Sequence, residues 1–178
     1  MKKVFAISGS TRVSSSNAEL IDYIKEMSKD FFEIEKFPNV NSIPHFNPDD
    51  DYETPPKAVI DFRNKIRDAD AVLICTPEYA MGVPGSLKNA FDWLVSSCDI
   101  SKKPTALITA SSLGQKGHAS LMETLKIIEA EVTDQTQAII SFIKTKIVNR
   151  QVTDDETKEK IHSVIHNLNQ LILAKDQS

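Results

Sequence analysis

The chain holds only two cysteines, Cys75 and Cys98, among 178 residues, and they fall in no CxxC or CxxH spacing. Neither a disulfide framework nor a structural zinc site is expected from that pattern. A basic excess is also lacking, since 21 Lys and Arg against 25 Asp and Glu leave a net charge of −4. General electrostatic attachment to nucleic acid or to an anionic membrane needs the opposite balance. No apolar run approaches the length of a membrane span. The first run, Val4 to Ile7, stops at Ser8, too early for the core of a secretory signal. A reducing cytoplasm is therefore the expected location. Two well-known phosphate-loop patterns, GxxxxGK[ST] and GxGxxG, are missing as well.

What is present is the composition of an ordinary globular chain, 40% apolar and 26% charged. Its length suits one domain, residues 1–178, with room for a full core. Val4 to Ile7 reads as a buried strand and residues 16–29 as a helix with Leu20, Ile21, Ile24 and Met27 on one face. Residues 32–37 suit a short edge strand. Pro38 to Pro56 carries five of the eight prolines and reads as a long loop without an element, with Asp49, Asp50 and Asp51 solvated. A second helix is predicted over about 56–67, with Val59, Ile60, Phe62 and Ile66 inward. Ala71 to Cys75 is a continuous apolar run, the pattern of a central parallel strand. Further on, helices are expected near 84–97, 117–130 and 154–175, and strands near 104–110 and 137–142. Alternation of this kind predicts a doubly wound α/β fold. Ligands of such folds bind beyond the carboxyl ends of the strands.

Three loops at those ends carry unusual chemistry. Ser8 to Asn17 brings five hydroxyl side chains between Ser10 and Ser16, with Arg12 and Asn17, to the start of a helix. Hydroxyls, a guanidinium and free amides at a helix N-terminus suit a phosphate monoester. The competing reading is a flexible Ser-rich turn in which Ser16 or Asn17 is a plain N-cap. Thr76 to Gly85 includes Pro77, Tyr79, Gly82, Pro84 and Gly85; it reads either as a platform for a flat ligand or as an ordinary strand-to-helix turn. Thr109 to His118 again combines hydroxyls with glycines, and His118 reads as a solvated first-turn residue rather than a base.

These loops together resemble the NADPH-dependent FMN reductase family, the flavodoxin-like group with bacterial chromate and quinone reductases and small azoreductases. Residues 9–17 match GSxRxxSxN, and Pro77 to Trp93 matches PEYxxxxPGxLKNAxDW. Ile43 to Asp49 is similar to IPxYNxD, and the correspondence weakens after about residue 120. The resemblance implies a five-stranded parallel sheet in the order 2-1-3-4-5 with helices on both faces. It further implies non-covalent FMN, with Ser10, Arg12, Ser16 and Asn17 on the phosphate and Ser14 or Ser15 assisting. Pro77, Glu78, Tyr79 and the backbone around Met81 and Gly82 would line the ring and ribityl chain; Ser111 and the Gly114 to Gly117 backbone would face the other polar edge. The third loop, SSLGQKGH, departs from the family's SxGGxGG, with His118 in place of a glycine. The helix carrying Leu87, Lys88, Asn89, Phe91 and Trp93 implies a homodimer or homotetramer.

The implied chemistry is hydride transfer from NADPH or NADH to FMN, then electron transfer to quinones, azo compounds, flavins, chromate or ferric species in ping-pong order. No side-chain nucleophile or obligatory base is required. Cys75 and Cys98 read as packed thiols, and His162 and His166, spaced i, i+4, as a solvated helix face rather than a metal site. Phe91 and Trp93 read as core or interface. Two alternatives are a flavodoxin-like electron carrier that does not oxidise NAD(P)H, and a phosphate-ligand binding module without FMN.

Overall fold

The computed structural model describes residues 1–12 and 14–177, so Val13 of the first motif lies outside the described residues. Five strands, β1 (Lys2–Ser8), β2 (Phe32–Lys36), β3 (Ala71–Thr76), β4 (Thr105–Ser111) and β5 (Gln137–Ser141), form one parallel sheet. Their order is β2-β1-β3-β4-β5, as the resemblance implied. The reversal of winding therefore falls between β1 and β3, whose register runs from Val4 opposite Ala71 to Ser8 opposite Cys75.

The period-two alternation of each strand divides the apolar residues between two cores. Val4 and Ala6 of β1, Leu73 and Cys75 of β3, and Ile108 of β4 face α1 (Ser16–Met27) and α7 (Asp155–Lys175). Phe5 and Ile7, Val72 and Ile74, and Leu107 face α3 (Lys57–Asp68), α4 (Gly85–Asp92) and α5 (Gln115–Ile127). Because both faces are covered, β3 is buried along its whole length and reads as an unbroken hydrophobic run.

The stretch from Pro38 to Pro56 departs from the expected structureless loop. It contains a 3-10 turn, Val40–Ser42, and a short helix, α2 (Pro48–Glu53). Asn47 caps α2 by accepting from the Asp49 amide at 3.2 Å, and Pro48 takes the first helical position. Proline there is a helix starter, not a breaker. Asp51 is correspondingly not solvated: it is nearly buried and paired with Arg63. The strap is held against α4 by Asn89, whose side-chain oxygen accepts from the Phe46 amide and whose Nδ2 donates to the Pro44 carbonyl. Trp93 Nε1 donates to the same carbonyl, and its ring meets Phe46 edge-on at 5.0 Å.

The fourth helix is shorter than the apolar spacing suggests. It ends at Asp92, where the Leu94 amide turns back to the Phe91 carbonyl and the Arg63 guanidinium takes the Trp93 carbonyl. Val95 is therefore exposed, and Ile60 on α3 also faces outward. Leu87, Phe91 and Trp93 are fully buried within the chain and Asn89 is spent on the strap, so of the residues expected at a subunit contact only Lys88 is exposed. Beyond β5, the sequence reading did not anticipate a short helix, α6 (Ile143–Lys146), and a two-stranded hairpin, β6 (Ile147–Val148) with β7 (Gln151–Val152).

Candidate active site

A cleft of about 640 Å³ opens at the carboxyl end of the sheet. That size falls within the roughly 300–1,000 Å³ usual for small-molecule and cofactor sites. Its walls bring together Ser10, Arg12, Ser14, Ser15, Ser16 and Asn17 from the first loop, Pro77, Glu78 and Tyr79 from the second, and Ser111 and Ser112 from the third. Three segments separated along the chain thus meet at the predicted end of the sheet.

Local hydrogen bonds explain how the first loop is shaped. Ser15, rather than Ser16 or Asn17, is the N-cap of α1, accepting from the Ala18 amide at 3.4 Å. The earlier amides of the first turn have no acceptor within the helix, and the helix dipole favours an anion there. Ser10 Oγ accepts from the Arg12 amide at 3.4 Å, while the Arg12 guanidinium is exposed and has no carboxylate partner among the described residues. Asn17 is turned inward. Its Nδ2 donates to the Ala110 carbonyl at 3.0 Å, and its Oδ1 is buried without a partner. A buried orphan acceptor costs about 1–3 kcal/mol unless it is met. One of the two Nδ2 hydrogens is spent on Ala110, and the unmet Oδ1 offers a ligand an acceptor, which matches a hydroxyl.

The second loop is a tight hairpin. Tyr79 and Gly82 exchange both backbone hydrogen bonds at 2.9 Å, and Ala80 and Met81 between them have φ of 50° and 63°. Positive φ at both central residues is the requirement of a two-residue hairpin turn. This geometry throws the Met81 side chain into solvent, 75% exposed, and neither Met81 nor Gly82 is part of the cleft's lining. Tyr79 remains at the wall, half exposed.

The third loop contributes Ser111 and Ser112 but not its glycines. Gly114 begins α5 with φ of 108°, and an added Cβ would lie 3.1 Å from Ile139 and 3.2 Å from Thr109 side-chain carbons. Gly117 is buried against Gly82 and Glu78. Gly114 therefore serves packing against β4 and β5 and Gly117 packing between loops, and both stand outside the lining. His118 is likewise not solvated: it is 8% exposed, with Nδ1 2.9 Å from Thr109 Oγ1 and Nε2 2.8 Å from Gln137 Oε1. It bridges α5 to β4 and β5, where the family pattern has glycine.

Several lining residues escaped the sequence reading: Glu19, Ala110, and the group Phe142, Ile143, Lys144, Thr145 and Ile147. The last group lies just after β5, at the same sheet edge as the three recognised loops, and that position was the available signal. Phe142 has φ of 57° and is 60% exposed, with its amide donating to the Ser112 carbonyl. Lys144 adds a second cation without a carboxylate partner among the described residues. Cys75 sits below the cleft, and burial pushes its thiol far above the ordinary range, which leaves it unsuited to act as a nucleophile. Among the described residues no cluster of three or more His, Cys, Asp or Glu is placed to hold a metal.

Hydroxyls, a guanidinium and a helix N-terminus at one part of the cleft, with Tyr79 and Phe142 as aromatic walls, fit a phosphorylated planar group such as FMN. A model of the NADPH-dependent FMN reductase family matches residues 2–156. The chain belongs to that family. A quinone reductase of Escherichia coli K12 is 33% identical to this family member over 152 residues, 82% of this chain and 80% of that protein. An NAD(P)H-dependent FMN reductase of Pseudomonas aeruginosa is 32% identical over 173 residues, 93% of this chain and 92% of the other. Among solved structures, the Paracoccus denitrificans flavoenzyme FerB, an NAD(P)H:(acceptor) oxidoreductase, superposes with a TM-score of 0.78 over 98% of both chains at 24% identity, a likeness of fold. Family membership makes the chain an oxidoreductase that works with FMN and NAD(P)H. No described helix is long and apolar enough to cross a membrane.

Proposed function

We propose that FMN binds non-covalently in the cleft at the carboxyl end of the sheet, and that the protein passes reducing equivalents from NAD(P)H to quinones and flavins. The observation that carries this reading is the meeting of Arg12, the α1 N-terminus and the serine hydroxyls with the aromatic side chains of Tyr79 and Phe142 in one cleft. Bound there, FMN would supply the hydride acceptor and the electron donor for the overall reaction.

The chain's own groups bind and orient. Arg12, Ser10, Ser14 and Ser16, with the first amides of α1, would hold the phosphate; Ser15 is occupied as the helix cap. Asn17 Oδ1 would accept from a ribityl hydroxyl. Pro77, Tyr79 and Ser111 would flank the ring, and donor and acceptor sharing one face of it would alternate in ping-pong order. Azo compounds, chromate and ferric species fit the same open site. The lack of a paired cysteine suits a reducing cytoplasm, and the exposed Met81, Val95 and Tyr52 suit a homodimer or homotetramer.

A visible absorption spectrum of the purified protein, followed by anaerobic titration with NADPH and NADH and steady-state turnover with menadione, tests the reading. A flavin spectrum bleached by either nicotinamide and restored by menadione is the expected result. A flavin spectrum without nicotinamide oxidation would instead make the protein an electron carrier, and a colourless protein that takes up no FMN would remove the cofactor.

A further inference from the structure

Glu78 lines the cleft, yet one oxygen of its carboxylate is committed to the protein. Glu78 Oε2 accepts from the Gly117 amide at 2.7 Å, across from the second loop to the start of α5. The N-cap of α5, Gly114, has no side chain to satisfy the amides of the first turn. Glu78 therefore caps α5 from another segment, and a carboxylate is the side chain that a helix N-terminus favours most.

A second bond runs the same way. The Glu78 amide donates to Ser111 Oγ at 3.1 Å, so one residue ties the second loop to the third at two points. The acceptor role leaves the Ser111 hydroxyl proton with only the Glu78 carbonyl at 3.5 Å, a poor partner. That proton is available to a ligand. The fit is tight on the far side as well: a Cβ on Gly117 would lie 2.7 Å from the Gly82 carbonyl oxygen and 3.0 Å from Glu78 Cγ. The glycine at 117 is what lets the two loops approach closely enough for the carboxylate to reach the amide.

We infer that Glu78 is a positioning residue, which acts through Gly117 and Ser111 to fix the spacing of the two loops that would flank the flavin ring, and does not itself contact the flavin. The inference deepens the FMN reading and rests on it for its functional half. Removing the carboxylate frees the start of α5 and leaves the backbone bond from the Glu78 amide to Ser111 as the remaining tie, while a glutamine, whose amide oxygen also accepts, keeps both.

The experiment compares wild type, Glu78→Ala and Glu78→Gln by two measurements on the full chain. Hydrogen exchange of segment 111–118 is followed on flavin-stripped protein, and FMN affinity by fluorescence quenching on reconstitution. In Glu78→Ala, exchange of that segment accelerates and FMN affinity drops, each about tenfold. In Glu78→Gln both stay within about threefold of wild type, because a neutral hydrogen bond replaces a charge-assisted one. Unchanged exchange in Glu78→Ala overturns the inference, as does faster exchange with unchanged affinity. So does a Gln variant that binds FMN as weakly as the Ala variant, because that marks direct contact through the charge. If wild type binds no FMN while Glu78→Ala still loosens segment 111–118 alone, the tie stands and the flavin reading falls.

Discussion

Arg63 on α3 reaches across to Asp51 on α2, Nη2 to Oδ1 at 2.7 Å, with the side chains only 10% and 6% exposed. The same guanidinium donates to the Trp93 carbonyl and to Ser96 Oγ, which in turn donates to Asp51. One buried cation thus fastens the strap helix, the end of α4 and the turn after it. Burial raises the Asp51 carboxyl, but hydrogen bonds from Ser96 and Arg63 and the charge of Arg63 outweigh it and hold the group below its ordinary range. A carboxyl depressed in the folded state stabilises above its unfolded pKa, near 4, and loses that contribution as pH falls through the lower folded value. Asp51→Asn should cost about 2 kcal/mol at neutral pH by urea unfolding. The difference between variant and wild type should shrink below about pH 4.

Arg12→Ala should leave the fold intact, since the guanidinium has no carboxylate partner among the described residues. FMN affinity should fall about 10- to 100-fold, the size of a lost charge-assisted hydrogen bond of about 1.5–3 kcal/mol. Fluorescence titration checks it; unchanged affinity would take Arg12 out of the phosphate site.

Gly9→Ala should be destabilising. The added Cβ would lie 2.4 Å from Thr76 Oγ1 and 2.8 Å from Leu87 Cδ2, both on fully buried residues. Overpacking of this kind costs about 1–3 kcal/mol. A urea midpoint equal to wild type would show that β1 and β3 give way at no cost.

His118→Ala should lower stability by about 1–3 kcal/mol by leaving the buried Thr109 hydroxyl and the Gln137 side chain without their partner. Denaturant unfolding with an unchanged slope would show a loss of contacts rather than a change in compactness.

Much of this architecture is determined by local sequence. Ala71 to Thr76 can bury both faces only as a central strand, and Leu20, Ile21 and Ile24 share a helix face whatever lies beneath them. Period and chain punctuation are properties of neighbours along the chain, and so the alternating elements and the three loops at strand ends were legible. The 2-1-3-4-5 order came from motif resemblance and was then observed in the sheet. Only the tertiary structure decided what those residues meet. Asp51 reads as one of three solvated aspartates until Arg63 is brought beside it, and His118 as a surface residue until β5 presents Gln137. The backbone around Met81 and Gly82 reads as cleft lining, and the Tyr79–Gly82 hairpin decides that the Met81 side chain points to solvent. Phe142 and Lys144 join the cleft because β5 delivers them to the edge shared by the other loops. Each of these outcomes depends on partners distant in sequence, whose proximity exists only once the sheet has closed its order.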